Sequence, residues 1–129
     1  MDVLFAAATK STPELACDPV KGSISIKGRS IPADASVFYD RMDKWVEKLC
    51  EEPGGRTVTF SVMVDHLNTG SVRSILTMMS RLKKAEAKGL KLVIDWNYEM
   101  DDEDIRDKGE EMSMIVGHPF NYIPFRYEG

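Results

Sequence analysis

The chain is poor in the residues from which metal centres and disulfides are built. It contains two cysteines, Cys17 and Cys50, and two histidines, His66 and His118. None of the four has a partner at the short spacing that is typical of zinc ligands. Two cysteines without a disulfide pattern are typical of reduced thiols in a cytosolic protein. We therefore expect no metal, no bound cofactor and a cytoplasmic location.

Glycine-rich phosphate loops, long apolar runs and a basic surface are also missing. The pair Gly54-Gly55 is not followed by the Lys-Ser/Thr of a P-loop. The apolar stretch from Val3 to Ala8 has no basic leader, so we expect no signal peptide, and no run is long enough to span a bilayer. A net charge of −4 and an isoelectric point of about 5.2 disfavour binding to a phosphate backbone. We expect neither nucleic acid nor membrane as a partner.

What remains is the composition of one ordinary folded domain over residues 1–129. The chain is 43% hydrophobic and 29% charged, and it has no internal repeat, linker or low-complexity tract. Alternating and helical apolar spacings predict a mixed α/β sheet of four or five strands, packed by three helices mainly on one face. The strands are predicted at Leu15–Asp18, Ser23–Lys27, Thr57–Leu67, Leu90–Tyr98 and Phe120–Tyr127, and the helices at Asp34–Glu51, from Ser71 to about Lys88, and after the acidic run Asp101–Asp104.

The helical apolar stripes predict which side chains fill the core. Met78 falls outside the stripe of the second helix, and we expect it to be exposed. The acidic run lacks the glycine and the ligand spacing of a calcium loop, so it predicts only a solvated helix start. The predicted stripes are Phe38, Met42, Trp45, Val46 and Leu49 in the first helix, Val72, Ile75, Leu76, Met79 and Leu82 in the second, and Ile105, Met112, Ile115 and Val116 in the third.

The most informative segment is Leu67-Asn68-Thr69-Gly70-Ser71, where a strand ends and a helix begins. Asn68, Thr69 and Ser71 can each cap that helix by accepting a hydrogen bond from a free backbone N–H. A helix N-terminus also attracts anions, so the segment could hold a small anionic ligand in a binding domain. A third interpretation is a phosphorylated Thr69, whose new charge would repel a partner that docks over it. The residue types alone leave these interpretations open.

Other candidate residues are less informative. Arg73 and Ser74 follow on the same helix, and their position near Thr69 makes them candidate contact residues. Ser11-Thr12-Pro13 is typical of a turn, or of a contact segment near the same site. An enzyme would need a nucleophile beside a base, and nothing in the sequence places either cysteine next to either histidine. We therefore expect a binding protein and not an enzyme.

Four segments together resemble the SiaC-type family of bacterial regulatory phosphoproteins, which is related in fold to the STAS domains of anti-sigma-factor antagonists. They are Ser11-Thr12-Pro13, the stretch from Gly22 to Pro32, Leu67-Asn68-Thr69-Gly70-Ser71, and Trp96-Asn97-Tyr98. The resemblance covers nearly the whole chain and implies a STAS-like α/β domain. It also implies that Thr69 is the phosphorylated threonine, modified by a dedicated kinase and restored by a PP2C-type phosphatase.

The resemblance further implies a role in partner switching. In the best-known branch of the family the unmodified protein binds and activates a diguanylate cyclase, which would connect this chain to cyclic di-GMP signalling and to biofilm or aggregation control. Gly70 stands where that family often has serine. Asn68 stands where the wider STAS group usually has aspartate, so no role that needs a carboxylate is carried over to it.

Overall fold

The strands lie in the sheet in the order in which they occur along the chain. The computed structural model describes residues 1–127. Strand β2 is antiparallel to both of its neighbours, β1 and β3, whereas β3, β4, β5 and β6 run parallel to one another. The elements are β1 Leu4–Ala6, β2 Glu14–Asp18, β3 Ser23–Ser30, α1 Ala35–Glu51, β4 Thr57–Leu67, α2 Thr69–Ala85, a 3-10 turn Glu86–Lys88, β5 Lys91–Glu99, α3 Glu103–Val116 and β6 Asn121–Phe125.

The predicted mixed α/β class is confirmed, but the described residues form six strands and not four or five. The additional strand is β1, which has three residues and pairs only with β2. A strand this short shows no alternation over which a pattern could be recognised. Strands β2 and β3 form an antiparallel hairpin, and β4, α2 and β5 form a unit of two parallel strands joined by a helix.

The helices cover one face of the sheet. Strand β4 shows why, because Val58, Phe60 and Val62 are almost completely buried, whereas Thr59 and Ser61 between them remain partly exposed. Helix α1 packs against α2, and α2 against α3, over the buried face. Each helix joins two parallel strands, so the helices begin at the edge of the sheet where the parallel strands end. Three loop-to-helix junctions therefore lie along one edge.

Two of the predicted core stripes are corrected at α1 and α2. In α1, Tyr39 is 1% exposed and Phe38 is only partly buried, because the tyrosine hydroxyl has a hydrogen-bond partner inside the protein. In α2, the prediction that Met78 is exposed is wrong, since its side chain is fully buried. Trp45 is buried, as its stripe predicts, and Trp96 in β5 is also buried.

The core face of α3 is set by a glycine. Gly109 lies over the Trp96 ring, and a Cβ atom there would be 2.5 Å from the indole. The Trp96 Nε1–H donates to the carbonyl of Ile105 at 2.9 Å, which holds the ring in place. Ile115 was expected in this stripe, but it is 67% exposed because it lies about a quarter turn away from Ile105, Gly109 and Met112.

Candidate functional site

The first turn of α2 is fixed by Asn68. Its Oδ1 accepts from the Ser71 N–H at 2.9 Å, and its Nδ2 donates to the carbonyl of Pro32 at 3.0 Å. The Asn68 backbone N–H donates to the carbonyl of Ser30, also at 3.0 Å. Asn68 is therefore the N-cap, and it ties α2 to the connection between β3 and α1.

A chain of buried hydroxyl groups lies beneath this cap. The Ser71 hydroxyl donates to the carbonyl of Ser30 at 3.1 Å and accepts from the Ser30 hydroxyl at 2.7 Å. The Tyr39 hydroxyl, 2.6 Å from the Ser30 hydroxyl, is then left as the donor to it. Burial raises the pKa of Tyr39 to about 12, although its hydroxyl partners act in the opposite direction. The three side chains are neutral and mutually satisfied.

Thr69 stands apart from this network. It is the first residue of α2, and its side chain is exposed. Within residues 1–127 its hydroxyl has no hydrogen-bond partner, and the backbone N–H groups of Thr69 and Gly70 have no acceptor. The hydroxyl is thus open to a modifying enzyme, and it lies beside free donors that favour an anion.

Gly70 lies where the starts of α1 and α2 touch. A Cβ atom at position 70 would lie 3.0 Å from the Cβ of Ala35, which is closer than side-chain carbons normally approach. A serine here, as the resemblance describes for other members, would require α1 to give way slightly. The glycine thus brings the two helix starts close together and leaves the main chain beside Thr69 uncovered.

Arg73 and Ser74 lie one turn further along α2, as their spacing predicts. They line a groove of about 280 Å³ between α1 and α2, together with Asp40 and Asp43. The two aspartates are already paired, Asp40 with Lys44 at 3.0 Å and Asp43 with Arg81 at 3.0 Å. In the described part of the chain Arg73 forms no ion pair.

The Ser11-Thr12-Pro13 segment forms the turn that its sequence predicts. The Thr9 Oγ1 accepts from the backbone N–H groups of Ser11 and Thr12 at 3.2 and 3.0 Å. The Ser11 carbonyl accepts from the Ile31 N–H at 2.9 Å, one residue beyond the serine whose carbonyl binds the cap of α2. The segment therefore lies at the same edge of the sheet as Thr69. Its contact role stays a prediction.

Two of the predicted contact residues have no free surface. The Ser71 side chain is fully buried, and Pro13 is buried against Gly28. Neither side chain can touch a partner, so any role in binding is limited to holding the exposed residues in position. Sequence reasoning missed Ser30 and Tyr39 as parts of the site, because nothing in the sequence marks their hydroxyl groups as neighbours.

The structure does not bring the cysteines and histidines together. His66 contacts Asp65, with 3.2 Å between Nδ1 and Oδ1, and His118 contacts Lys83 and the carbonyl of Leu92. Burial raises the pKa of Cys17 to about 12, and partial burial raises the pKa of Cys50. Both thiols are therefore protonated and weakly nucleophilic at neutral pH.

Within residues 1–127, no group of three or more His, Cys, Asp or Glu side chains is placed to hold a metal ion. None of the described helices is both long enough and apolar enough to cross a bilayer.

Comparison with known proteins finds relatives that match this chain over most of its length. A curated, uncharacterised protein of Pseudomonas aeruginosa strain UCBPP-PA14 is 26% identical over 120 residues, which cover 93% of this chain and 94% of the relative. The crystal structure of apo-SiaC from the same species superposes with a TM-score of 0.85 at 25% identity, covering 95% of this chain and 99% of SiaC.

A second solved structure shows that relative with a partner. It is the complex of the diguanylate cyclase SiaD with its activator SiaC, whose SiaC chain matches with a TM-score of 0.87 at 24% identity, over 95% of this chain and 99% of SiaC. Fold and site together define a small mixed α/β protein with an exposed threonine at a capped helix start. The chain belongs to the SiaC family of regulatory phosphoproteins, whose model matches residues 6–125.

Proposed function

We propose that this chain is a partner-switching protein that binds and regulates a diguanylate cyclase, and that phosphorylation of Thr69 controls the binding. The observation that carries the proposal is the exposed Thr69 hydroxyl beside unpaired N–H groups, on a helix start that is fixed by the hydrogen bonds of Asn68 and Ser71. The SiaC of Pseudomonas aeruginosa, with which this chain shares its fold, is an activator bound to such a cyclase.

The physical basis is a charge that this chain tolerates and a partner does not. A phosphate adds about −1.5 to −2 charge at an exposed helix N-terminus, where the macrodipole favours negative charge. A partner seated over Thr69 would instead face a buried charge without a counter-charge, which costs about 3–5 kcal/mol. That cost weakens binding by roughly 10²- to 10³-fold, which is enough for a switch.

Two enzymes complete the proposal. A protein kinase transfers the phosphoryl group to Thr69, and a PP2C-type phosphatase removes it, in the cytoplasm. The chain itself acts by binding and not by catalysis. The contact surface comprises Thr69 and the exposed or partly exposed side chains around it, positioned by the buried hydroxyl groups. These surrounding residues are Asn68, Gly70, Arg73, Ser74, Ser11 and Thr12.

The test begins with mass spectra of the protein from its own cells, taken with phosphatase inhibitors present. We expect a fraction heavier by one phosphoryl group, mapped to Thr69. Binding to the cyclase is then compared between the unmodified protein and Thr69→Glu, which we expect to bind at least tenfold more weakly. Ala87→Glu, at an exposed position in the 3-10 turn beyond the other end of α2, is the matched control. If only the unmodified mass is found under several growth conditions, and Thr69→Glu binds the cyclase as well as the unmodified protein does, the proposal is contradicted.

A second candidate function follows from the same free N–H groups, which could hold a small anion or nucleotide in a ligand-binding domain. It predicts that such a ligand raises the melting temperature of the unmodified protein. Melting temperatures of the unmodified protein and of Asn68→Ala, each measured with phosphate and with a set of nucleotides, decide between ligand binding and phosphorylation. No shift with any of them would leave phosphorylation as the remaining role of the site.

A further inference from the structure

The charged residues around the α1–α2 groove leave one base without a partner. Asp40 is held by Lys44, and Asp43 is held by Arg81, which also lies 3.7 Å from Glu47. In residues 1–127, Arg73 shares the groove with these acids but makes no ion pair with them. Its guanidinium is therefore available to a new negative charge without breaking an existing pair.

The spacing along α2 shows where that charge would arise. Residues four apart on a helix lie on the same face, one turn from each other. Long helical side chains can lean towards the N-terminus, so Arg73, which now lines the groove, can reach the turn that contains Thr69 by a change of rotamer. An acidic group placed four residues before a basic one is also the favourable order in the field of the helix.

We propose that Arg73 is the intramolecular ligand of the phosphate on Thr69. The inference rests on the proposed phosphorylation of Thr69 and adds to it a residue that holds the modified state. A guanidinium offers parallel N–H donors that match two phosphate oxygens, which an ammonium group does not. The free N–H groups of Thr69 and Gly70 face the same end of the helix, so the phosphate meets donors from the main chain and from Arg73.

The pairing has a consequence beyond the phosphate itself. Arg73 would turn from the groove towards the start of α2, and Asp40 and Asp43 would lose a nearby positive charge. Phosphorylation would thus change two neighbouring surfaces, the helix start and the groove.

The experiment uses the full chain with phosphothreonine installed at position 69 by genetic-code expansion, so that no kinase is needed. Phosphorus NMR then gives the second pKa of the phosphate, which is about 6 without a partner. We expect Arg73→Gln to raise this pKa by about half a unit, the size expected of an exposed charge pair. Arg73→Lys should restore part of the difference.

Lys84→Gln, an exposed base near the other end of α2, is the matched control, and it should leave the phosphate pKa unchanged. Equal shifts for Arg73→Gln and Lys84→Gln, or no shift for either, would overturn the inference. Because the phosphothreonine is incorporated during translation and no kinase is needed, this result does not depend on whether cells modify Thr69. Failure of the proposed function would appear separately, as an unmodified Thr69 in cellular mass spectra.

Discussion

The two ends of α2 are attached to the rest of the protein by opposite kinds of interaction. At its start, Asn68, Ser71, Ser30 and Tyr39 form neutral hydrogen bonds, most of them buried. At its end, the attachment depends on charged side chains that remain partly exposed. Buried neutral hydrogen bonds are little affected by salt, whereas exposed ion pairs are screened by it. The end that carries the proposed switch can therefore keep its geometry when a charge is added beside it.

The charged attachment joins the 3-10 turn after α2 to the loop before β6. Lys83 Nζ lies 2.9 Å from Glu86 Oε1 and 3.1 Å from His118 Nδ1. His118 Nε2 lies 2.9 Å from the carbonyl of Leu92, which can only accept, so Nε2 carries the proton and Nδ1 accepts from Lys83 in the neutral ring. This attachment depends on the charges of Lys83 and Glu86, whereas the hydrogen-bonding side chains at the start of α2 are uncharged at neutral pH.

The largest effect is expected from Ser71→Val at the buried end. The change leaves the Ser30 hydroxyl without its acceptor and inserts apolar volume into a filled site, so we expect a loss of about 2 kcal/mol of unfolding free energy. Urea unfolding in low and high salt should give the same loss. Ser80→Val, on the partly exposed side of α2, is the control. A loss as small as that of the control would show that the hydroxyl chain is unimportant.

Asn68→Ala should cost somewhat less, about 1 kcal/mol, because it removes the cap of α2 but leaves the buried hydroxyl groups intact. Asp102→Ala removes the cap of α3 and serves as the comparison. We expect the Asn68 variant to lose more stability, since its amide also binds the carbonyl of Pro32. Equal losses in thermal unfolding would argue that the contact with Pro32 adds nothing.

Tyr39→Phe should cost about 1 kcal/mol at neutral pH, the net value of one hydrogen bond. The folded-state pKa of Tyr39 is raised from 10.0 to about 12, so the unfolded chain loses its proton first. The stabilisation is complete below pH 10 and declines as the pH rises towards 12. The variant should therefore lose stability less steeply over this range. If urea titrations give parallel curves of stability against alkaline pH for the two proteins, the raised pKa of Tyr39 is contradicted.

Glu86→Gln at the charged end should have the smallest effect, a few tenths of a kcal/mol. The hydrogen bond from Lys83 holds the pKa of Glu86 below its ordinary 4.5, against the opposing effect of partial burial. Its contribution is therefore present above pH 4.5 and disappears as the pH falls through the lowered value. Stability of the two proteins should converge in acid and in high salt. A stability difference between the two proteins that persists in 1 M salt would show that this end of α2, like its start, is held by interactions that salt does not screen.

The contrast between the two ends also marks what could be predicted from the sequence. The cap at Asn68, the exposed position of Thr69 and the turn at Ser11-Thr12-Pro13 follow from local chemistry, and sequence reasoning found each of them as a candidate. The pairing of Ser30 with Tyr39 and Ser71 joins three separate elements, and no local pattern indicates it. For the same reason Tyr39 was overlooked in favour of Phe38, whose side chain is more apolar but less buried.

The other errors have similar causes. Strand β1 is too short to show a period, and it exists because β2 offers it a free edge. Helix α3 turns Ile115 outward because the contact between Gly109 and Trp96 decides which side faces the sheet. Both depend on a partner distant in sequence, which composition and periodicity do not reveal.

The strand order has a consequence for how the chain is made. Since each strand pairs with the strand that precedes it in the sequence, a growing chain can add β4, β5 and β6 in turn at an open edge. No strand has to enter between two that are already paired, so a ribosome-bound fragment presents only the next edge to be filled. The sheet can therefore assemble during synthesis in the order of translation. The start of α2 can be attached before β5 has emerged, because its partners Ser30, Pro32 and Tyr39 all precede β5 in the sequence.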